Sequence, residues 1–380
     1  MIGNFTYQGY DLSCLFISDE CVLNNLTGQE LWIWGYNSNG ELGNNSIVNR
    51  CVPAQTIGGG NNWKQVAAGC IHTAGIKTDG TLWGWGANYN GQLGDETITK
   101  KSSPVQTVSG GTNWKQVAVG HTFSAAIKTD GTLWTWGYNP NGQLGDNTVI
   151  SKSSPVQTSA GGNSWKQVAA AGSFGSAIKT DGTLWSWGLN TSGQLGDGTT
   201  DNKSSPVQTT SATTNWKYVS LGIGSRHAAA IKTDGTLWNW GDIPASGNIL
   251  SPVQVSVGST NWKTVSIGMC HSMAIKTDGT LWAWGSNFYG QLGLGDTTTR
   301  SSPVAVAGSN WKTVSAGNGH TVAIKTDGTL WSWGYNVYGQ LGSGDIANVS
   351  SPVQTTAINS WRSLSVGMYD TSAALKITEG

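Results

Sequence analysis

The chain has 380 residues, only 11% of them charged, and its 21 basic and 21 acidic side chains cancel. Balanced charge, spread along the chain rather than clustered, argues against a nucleic-acid footprint and against a polybasic membrane patch. No apolar run approaches the ~20 residues of a membrane-spanning helix, and five cysteines out of step with any period do not make a disulfide framework.

Residues 1–28 contain no lysine or arginine, and so lack the positive region of a secretory signal. Their apolar residues (Leu12, Leu15, Phe16, Ile17, Val22, Leu23) are interrupted by Asp11, Asp19 and Glu20. Two readings stand: an irregular segment laid against the rest of the protein, or a docking element through which the chain self-associates or joins an assembly. Cys14 and Cys21 are close enough in sequence to pair, but no Cys-x-x-Cys arrangement calls for zinc.

From residue 29 onward the chain repeats itself. The clearest copy is Ile76-Lys-Thr-Asp-Gly-Thr-Leu-Trp-Gly-Trp-Gly86, in which two alternating runs flank an Asp-Gly turn. That pattern predicts a β-hairpin with one buried face, and it sets Trp134, like Trp83, in the core. The first tryptophan of each copy falls at 32, 83, 134, 185, 238, 282 and 331, the copy at 29–35 being degenerate. Upstream stands a Trp-Lys or Trp-Arg pair (Trp63, Trp114, Trp165, Trp216, Trp262, Trp311, Trp361), and downstream a proline (Pro53, Pro104, Pro155, Pro206, Pro252, Pro303, Pro352). Two tryptophans per hairpin and one per pair account for all 21. Each unit thus holds four strand-like pieces, the signature of a propeller blade.

The arithmetic also predicts closure. The first hairpin has no Trp-Lys before it, and Trp361-Arg362 has no hairpin after it. Residues 361–376 therefore supply the missing half of the unit at 29–62. The expected fold is all-β, a seven-bladed β-propeller over 29–380 with one split blade, preceded by the separate leader at 1–28.

The motif Gly-x-x-x-His-x-x-Ala-Ile-x-x-x-Gly-x-Leu-Trp-x-Trp-Gly-x-Asn-x-x-Gly-Gln-Leu-Gly, closing on proline, resembles the repeats of the regulator of chromosome condensation family. The resemblance runs over about residues 29–376 and implies a seven-bladed propeller closed by a split blade. It implies little about activity, because one fold hosts many functions. Guanine-nucleotide exchange with chromatin binding goes, in that family, with a basic N-terminal tail, whereas the first basic residue here is Arg50. Inhibition of a target enzyme, as by the bacterial β-lactamase inhibitor of propeller type, is another family role. The leader also resembles, loosely, those of bacteriophage structural proteins.

Up-and-down strand order assigns the loops to two faces. The Asp-Gly turns (Asp79, Asp130, Asp181, Asp234, Asp278, Asp327) share a monotonous face with the links between blades. The opposite face carries long, variable loops opening on Asn37, Asn88, Asn139, Asn190, Asn287 and Asn336, with glycines such as Gly91 and Gly94 at turn positions. Around them stand Tyr36, Tyr89, Tyr138, Phe288, Tyr289, Tyr335 and Tyr338. Aromatic side chains on polar loops make good binding anchors. The fifth unit departs twice on this face: its 219–227 segment is longer, and 241–250 has lost Gly-Gln-Leu-Gly. A notch is expected there, with Arg226 and Asp242 near it.

Catalytic residues, metal ligands and cofactors are not expected. His72, His227, His271 and His320 occupy a slot that holds Phe123 and Phe174 in other units, so it is a packing position. His121 is offset and expected at the surface. No nucleophile-elbow, zincin or phosphate-loop motif occurs. The functional expectation is a non-enzymatic recognition disc, foremost a bacteriophage virion component for surface decoration or host attachment, with virion proteins or a host receptor as partners. The alternative is a bacterial interaction propeller, cytoplasmic or secreted without a classical signal, that binds or inhibits a protein through its loop face.

Overall fold

Each repeat folds into four antiparallel strands because its turns leave the chain no other course. In the second unit, Asp79 Oδ1 accepts hydrogen bonds from Thr81 N at 2.9 Å and Thr81 Oγ1 at 2.7 Å. Gly80 sits at φ +80°, and a Cβ there would meet Thr112 O at 2.0 Å, so the turn requires glycine. The aspartates are the turn residues the sequence predicts.

The computed structural model describes residues 28–377 except 59, 109–110, 223, 225, 244–246, 256–258, 356–358 and 369, with the backbone of 6–7 and 10–11. Thr6–Tyr7 pairs with Tyr10–Asp11. Most of the leader, with Cys14, Cys21 and the docking or self-association reading, lies outside the described residues.

Seven four-stranded sheets form the ring. In blade two the strands run Trp63–Ala68, His72–Lys77, Leu82–Gly86 and Lys101–Gln106 in simple up-and-down order. Blades three to seven repeat this order from Trp114, Trp165, Trp216, Trp262 and Trp311. Blade one is assembled from both ends of the ring, as Trp361–Val366, Thr371–Ile377, Gln29–Gly35 and Arg50–Gln55. Its two halves pair without a break from Gln29↔Ile377 to Gly35↔Thr371.

Blades pack face to face, so both faces of every sheet are buried. The sequence predicts one buried face; a ring supplies two, since every sheet has a neighbour on either side. Leu82 and Ile76 pack forward on Trp114 and Trp136, while Trp85 packs backward on Leu31, Ile33 and Leu42. The core tryptophan of the hairpin is the second one: Trp136 is buried, whereas Trp134 is only half-buried. Trp134 instead covers Lys128, whose ammonium lies 4.3 Å from the Trp134 ring and 4.8 Å from that of Trp114. Five further blades repeat this cation–π sandwich at Lys77, Lys179, Lys232, Lys276 and Lys325.

First strands line the central channel, where polar side chains tie each blade to the next. Gln116 Nε2 donates to Val168 O, and Val168 N donates back to Gln116 Oε1, both at 3.1 Å. Gln65 and Gln167 do the same. Elsewhere a serine two residues further on takes over: Ser220, Ser266, Ser315 and Ser365 each accept a main-chain N–H from the next blade.

Candidate functional site

The loops after the third strand all lie on one face and are locked from within. Asn88 is fully buried; its Oδ1 accepts from Leu93 N, and its Nδ2 donates to Asp95, Thr97 and Thr99. Gly91 and Gly94 have φ of +78° and +70°, as turns in this loop demand. A Cβ on Gly91 would meet Ser153 Cα at 2.4 Å, so the loop also presses closely on the next blade. Such loops present their outward side chains in fixed positions.

Two outward slots of this loop meet between blades. The second residue after the asparagine in one blade abuts the residue before the asparagine in the next. Tyrosine fills four consecutive slots of this kind, giving a continuous row over blades six, seven and one. Tyr289 and Tyr335 have ring centroids 4.7 Å apart, Tyr335 and Tyr338 6.3 Å, and Tyr338 and Tyr36 5.2 Å. Phe288, 76% exposed, stands beside the row. Five predicted residues are thus brought together with Phe288 counted among them. Tyr89 lies one blade further on and reaches Asn39 with its hydroxyl at 3.3 Å, and exposed Tyr138 stands in blade three.

The row is uncharged. Burial, followed by the neighbouring Tyr338, Asp370 and Tyr289, raises the Tyr335 phenol above its ordinary value, which keeps it a neutral donor. Buried Asp370 beneath the row lies 3.4 Å from His320 Nδ1, and its main-chain carbonyl accepts from Tyr36 N. Offset and edge-on rings, hydroxyls at their rims and no net charge suit contact with a protein surface.

Arg226 and Asp242 are both exposed in blade five, one blade before the tyrosine row begins. Their backbones join, Asp242 N to Arg226 O at 3.0 Å, but no ion pair links the side chains. Arg226 lines a depression of about 230 Å³ with His121, Gly172 and Met368. The expected notch is a separate cleft on the other side of the blade. It holds about 270 Å³ and is lined by His227, Asn239, Cys270, Ser272 and Trp284, without Arg226 or Asp242.

The four slot histidines are buried. Sequence reasoning missed their further task. His72 Nε2 lies 2.9 Å from Ser124 Oγ, His271 Nε2 3.0 Å from Thr321 Oγ1, and His320 Nε2 3.1 Å from Ser372 Oγ, each in the next blade. Burial lowers His72 and His271 to about 3 and His227 to about 4. His121 is half-buried rather than at the surface, and burial lowers its pKa as well. Among the described residues no group of three or more His, Cys, Asp or Glu is placed to hold a metal, and no helix is long and apolar enough to cross a membrane.

The sequence profile of the RCC1-like domain matches residues 20–249, and that of the regulator of chromosome condensation (RCC1) repeat matches 278–324 and 327–374. The chain belongs to the RCC1-like family. It is 33% identical over 225 residues to the ultraviolet-B receptor UVR8 of Arabidopsis thaliana, covering 58% of this chain and 51% of the receptor. It is 32% identical over 186 residues to the human probable E3 ubiquitin-protein ligase HERC6, 47% of this chain and 18% of the ligase. The match thus spans about half of UVR8 and less of HERC6. Among solved structures, human WBSCR16 superposes with a TM-score of 0.82 at 20% identity, over 93% of this chain and 100% of that one. Yeast Prp20p, described with its binding to Gsp1p and histones, gives 0.80 at 19% identity over 93% of each chain. RCC1-like propellers are mostly binding and regulatory proteins, and the structural likeness establishes the fold.

Proposed function

We propose that this propeller is a non-enzymatic recognition module that binds a partner protein through its loop face, with the tyrosine row as anchor. The row itself carries the reading: Tyr289, Tyr335, Tyr338 and Tyr36 form one continuous aromatic strip on internally locked loops. Preorganised tyrosines lose little conformational entropy on binding and dominate interface energetics when clustered. The relatives include a receptor, a probable ubiquitin ligase and a structure described with its protein partners. They favour an interaction module over the virion component expected from the leader, and the bacteriophage reading draws no support from them.

The test is site-specific photocrosslinking in the native host. A photoreactive phenylalanine at Tyr338 or Phe288 should capture a discrete protein, while the same group at Thr280 or Thr329, on the turn face, should not. Replacing Tyr335 and Tyr338 together with alanine should abolish the Phe288 adduct. Equal capture from both faces would overturn the assignment of the loop face.

A further inference from the structure

Six blades share a device that blade five lacks. The Gln-Leu pair of each loop (Glu41-Leu42 in blade one) reaches into the seam with the next blade. There the first residue's main-chain carbonyl accepts from a tryptophan indole of that next blade: Glu41 O from Trp85, Gln92 O from Trp136, Gln143 O from Trp187, Gln194 O from Trp240, Gln291 O from Trp333, and Gln340 O from Trp34. Four of these carbonyls accept a second bond, from the hydroxyls of Thr73, Ser124, Thr321 and Ser372. The leucine fills the seam, as Leu144 does between Phe123, Trp165 and Trp187. Its own carbonyl accepts from Thr135 in blade three, and that of Leu341 from Ser332 in blade seven.

In blade five the chain from Gly241 to Ile249 is too short to carry this element; Gly241 pairs with Ile249 where Gly86 pairs with Lys101. The seam core there, around Ile231, Leu237, Trp262, Ile267 and Trp284, has no leucine from a loop. What remains is the 270 Å³ cleft, walled by Ala229, Ile267 and Trp284 and rimmed by Ile243 and Ile249. The three groups that bond the Gln and Leu carbonyls elsewhere all survive at its wall: the indole N–H of Trp284, the hydroxyl of Ser272 and, in the slot of Thr135 and Ser332, the carboxamide of Asn239. Trp284 is 8% exposed, while its six counterparts are at most 1% exposed.

We infer that this cleft is a peptide-binding site for a separate protein, which inserts a leucine-sized aliphatic side chain flanked by two exposed main-chain carbonyls. The ligand completes in trans what the other six blades complete in cis. The apolar wall takes the side chain, Trp284 and Ser272 take the preceding carbonyl, and Asn239 takes the next. This goes beyond the tyrosine row, which shares none of the cleft's lining residues, and the two sites stand or fall separately.

The probe is the end-blocked peptide Asn-Gly-Gln-Leu-Gly-Asp, a copy of residues 90–95, titrated into the full-length protein. Cys270 is exposed on the cleft wall, so its alkylation rate reports occupancy alongside the Trp284 indole N–H resonance. Saturable protection of Cys270 with a matching shift of the Trp284 signal is expected. Changing the probe's leucine to alanine should weaken binding by about thirtyfold, the value of the lost aliphatic carbons. Trp284→Phe should weaken it about fivefold through the lost hydrogen bond. A chain in which 242–248 is replaced by a copy of 87–100 fills its own cleft and should not bind the probe. Absence of protection at millimolar probe, or equal protection in the grafted chain, overturns the proposal. So does protection seen only after residues 1–27 are removed, since the chain's own leader would then be the occupant.

Discussion

A histidine at position 72 and a phenylalanine at 123 do the same packing work, but only the histidine couples the fold to pH. Burial holds His72 and His271 near 3 and His227 near 4, against 6.5 for the free side chain. The unfolded chain therefore binds more protons below pH 6.5. Stability is fully present above that value and falls as pH drops toward 4, by roughly 1.4 kcal/mol per pH unit for each such histidine. The turn aspartates act in a separate, lower window: hydrogen bonds from the neighbouring threonine lower Asp79 and its copies, so their contribution fades only below about pH 4. Urea unfolding of the His72→Phe variant should show a shallower loss between pH 6.5 and 4 than the parent. An identical slope would mean that His72 is protonated in the fold. Reading the slot as packing was possible because phenylalanine shares it. The hydroxyl partner was not legible, because it sits one repeat away at Ser124. The same blindness misplaced the tryptophans: alternation marks Trp134 and Trp136 alike, yet only the second is sealed between blades. Trp136→Ala should cost ~3–5 kcal/mol, and Trp134→Ala clearly less, since a half-buried ring surrenders part of its area and one cation–π contact. Equal losses in chemical denaturation would contradict this facing.

Strands and turns were legible one unit at a time, because alternation and Asp-Gly are local signals. The loops were legible only in part. Their asparagines and glycines announced local turns, and Asn88 with Gly91 and Gly94 behave so. That Tyr335 and Tyr338 of one loop would touch Tyr289 and Tyr36 of its two neighbours was not legible, since slot meets slot only once the ring is closed. The loop's rigidity rests on a single carboxamide. Asn336 Nδ2 donates to Asp345 and Ala347, while its Oδ1 accepts from Leu341 N. Asn336→Ala should cost about 1–3 kcal/mol through the unpaired main-chain groups it leaves behind. Amide exchange should quicken across 337–348 and stay unchanged in the loop that follows Asn88. If 337–348 exchanges as in the parent, the carboxamide does not hold the loop. The lost element of blade five was legible as an omission. Its consequence was assigned to Arg226, which lines the depression on the opposite side of the blade, and to Asp242, whose charge reaches Cys270 on the cleft wall.

At the scale of the ring, counting tryptophans was enough to foresee closure, because a unit divided between the chain's two ends has meaning only if they meet. They meet through Gln29–Gly35 and Thr371–Ile377, paired along their whole length, and through Trp361, fully buried against Trp34. Removing 361–380 strips two strands from blade one and uncovers the faces of blades seven and two, so the truncated chain should lose solubility and its cooperative transition. A permuted chain separates closure from composition. Gln29 and Ile377 are paired neighbours, so a two-residue Asn-Gly turn can join them in hairpin geometry. New ends opened between Gly308 and Trp311 leave every blade whole and every core contact in place. This chain, which drops residues 1–28 and 378–380, should fold to the same seven blades, because every strand of the ring is kept. It should also unfold faster, because blades six and seven can now part without first breaking a strand ladder within a blade. Stopped-flow unfolding in urea measures the difference, and equal rates would show that the inter-blade tryptophans hold the ring with no help from the split blade.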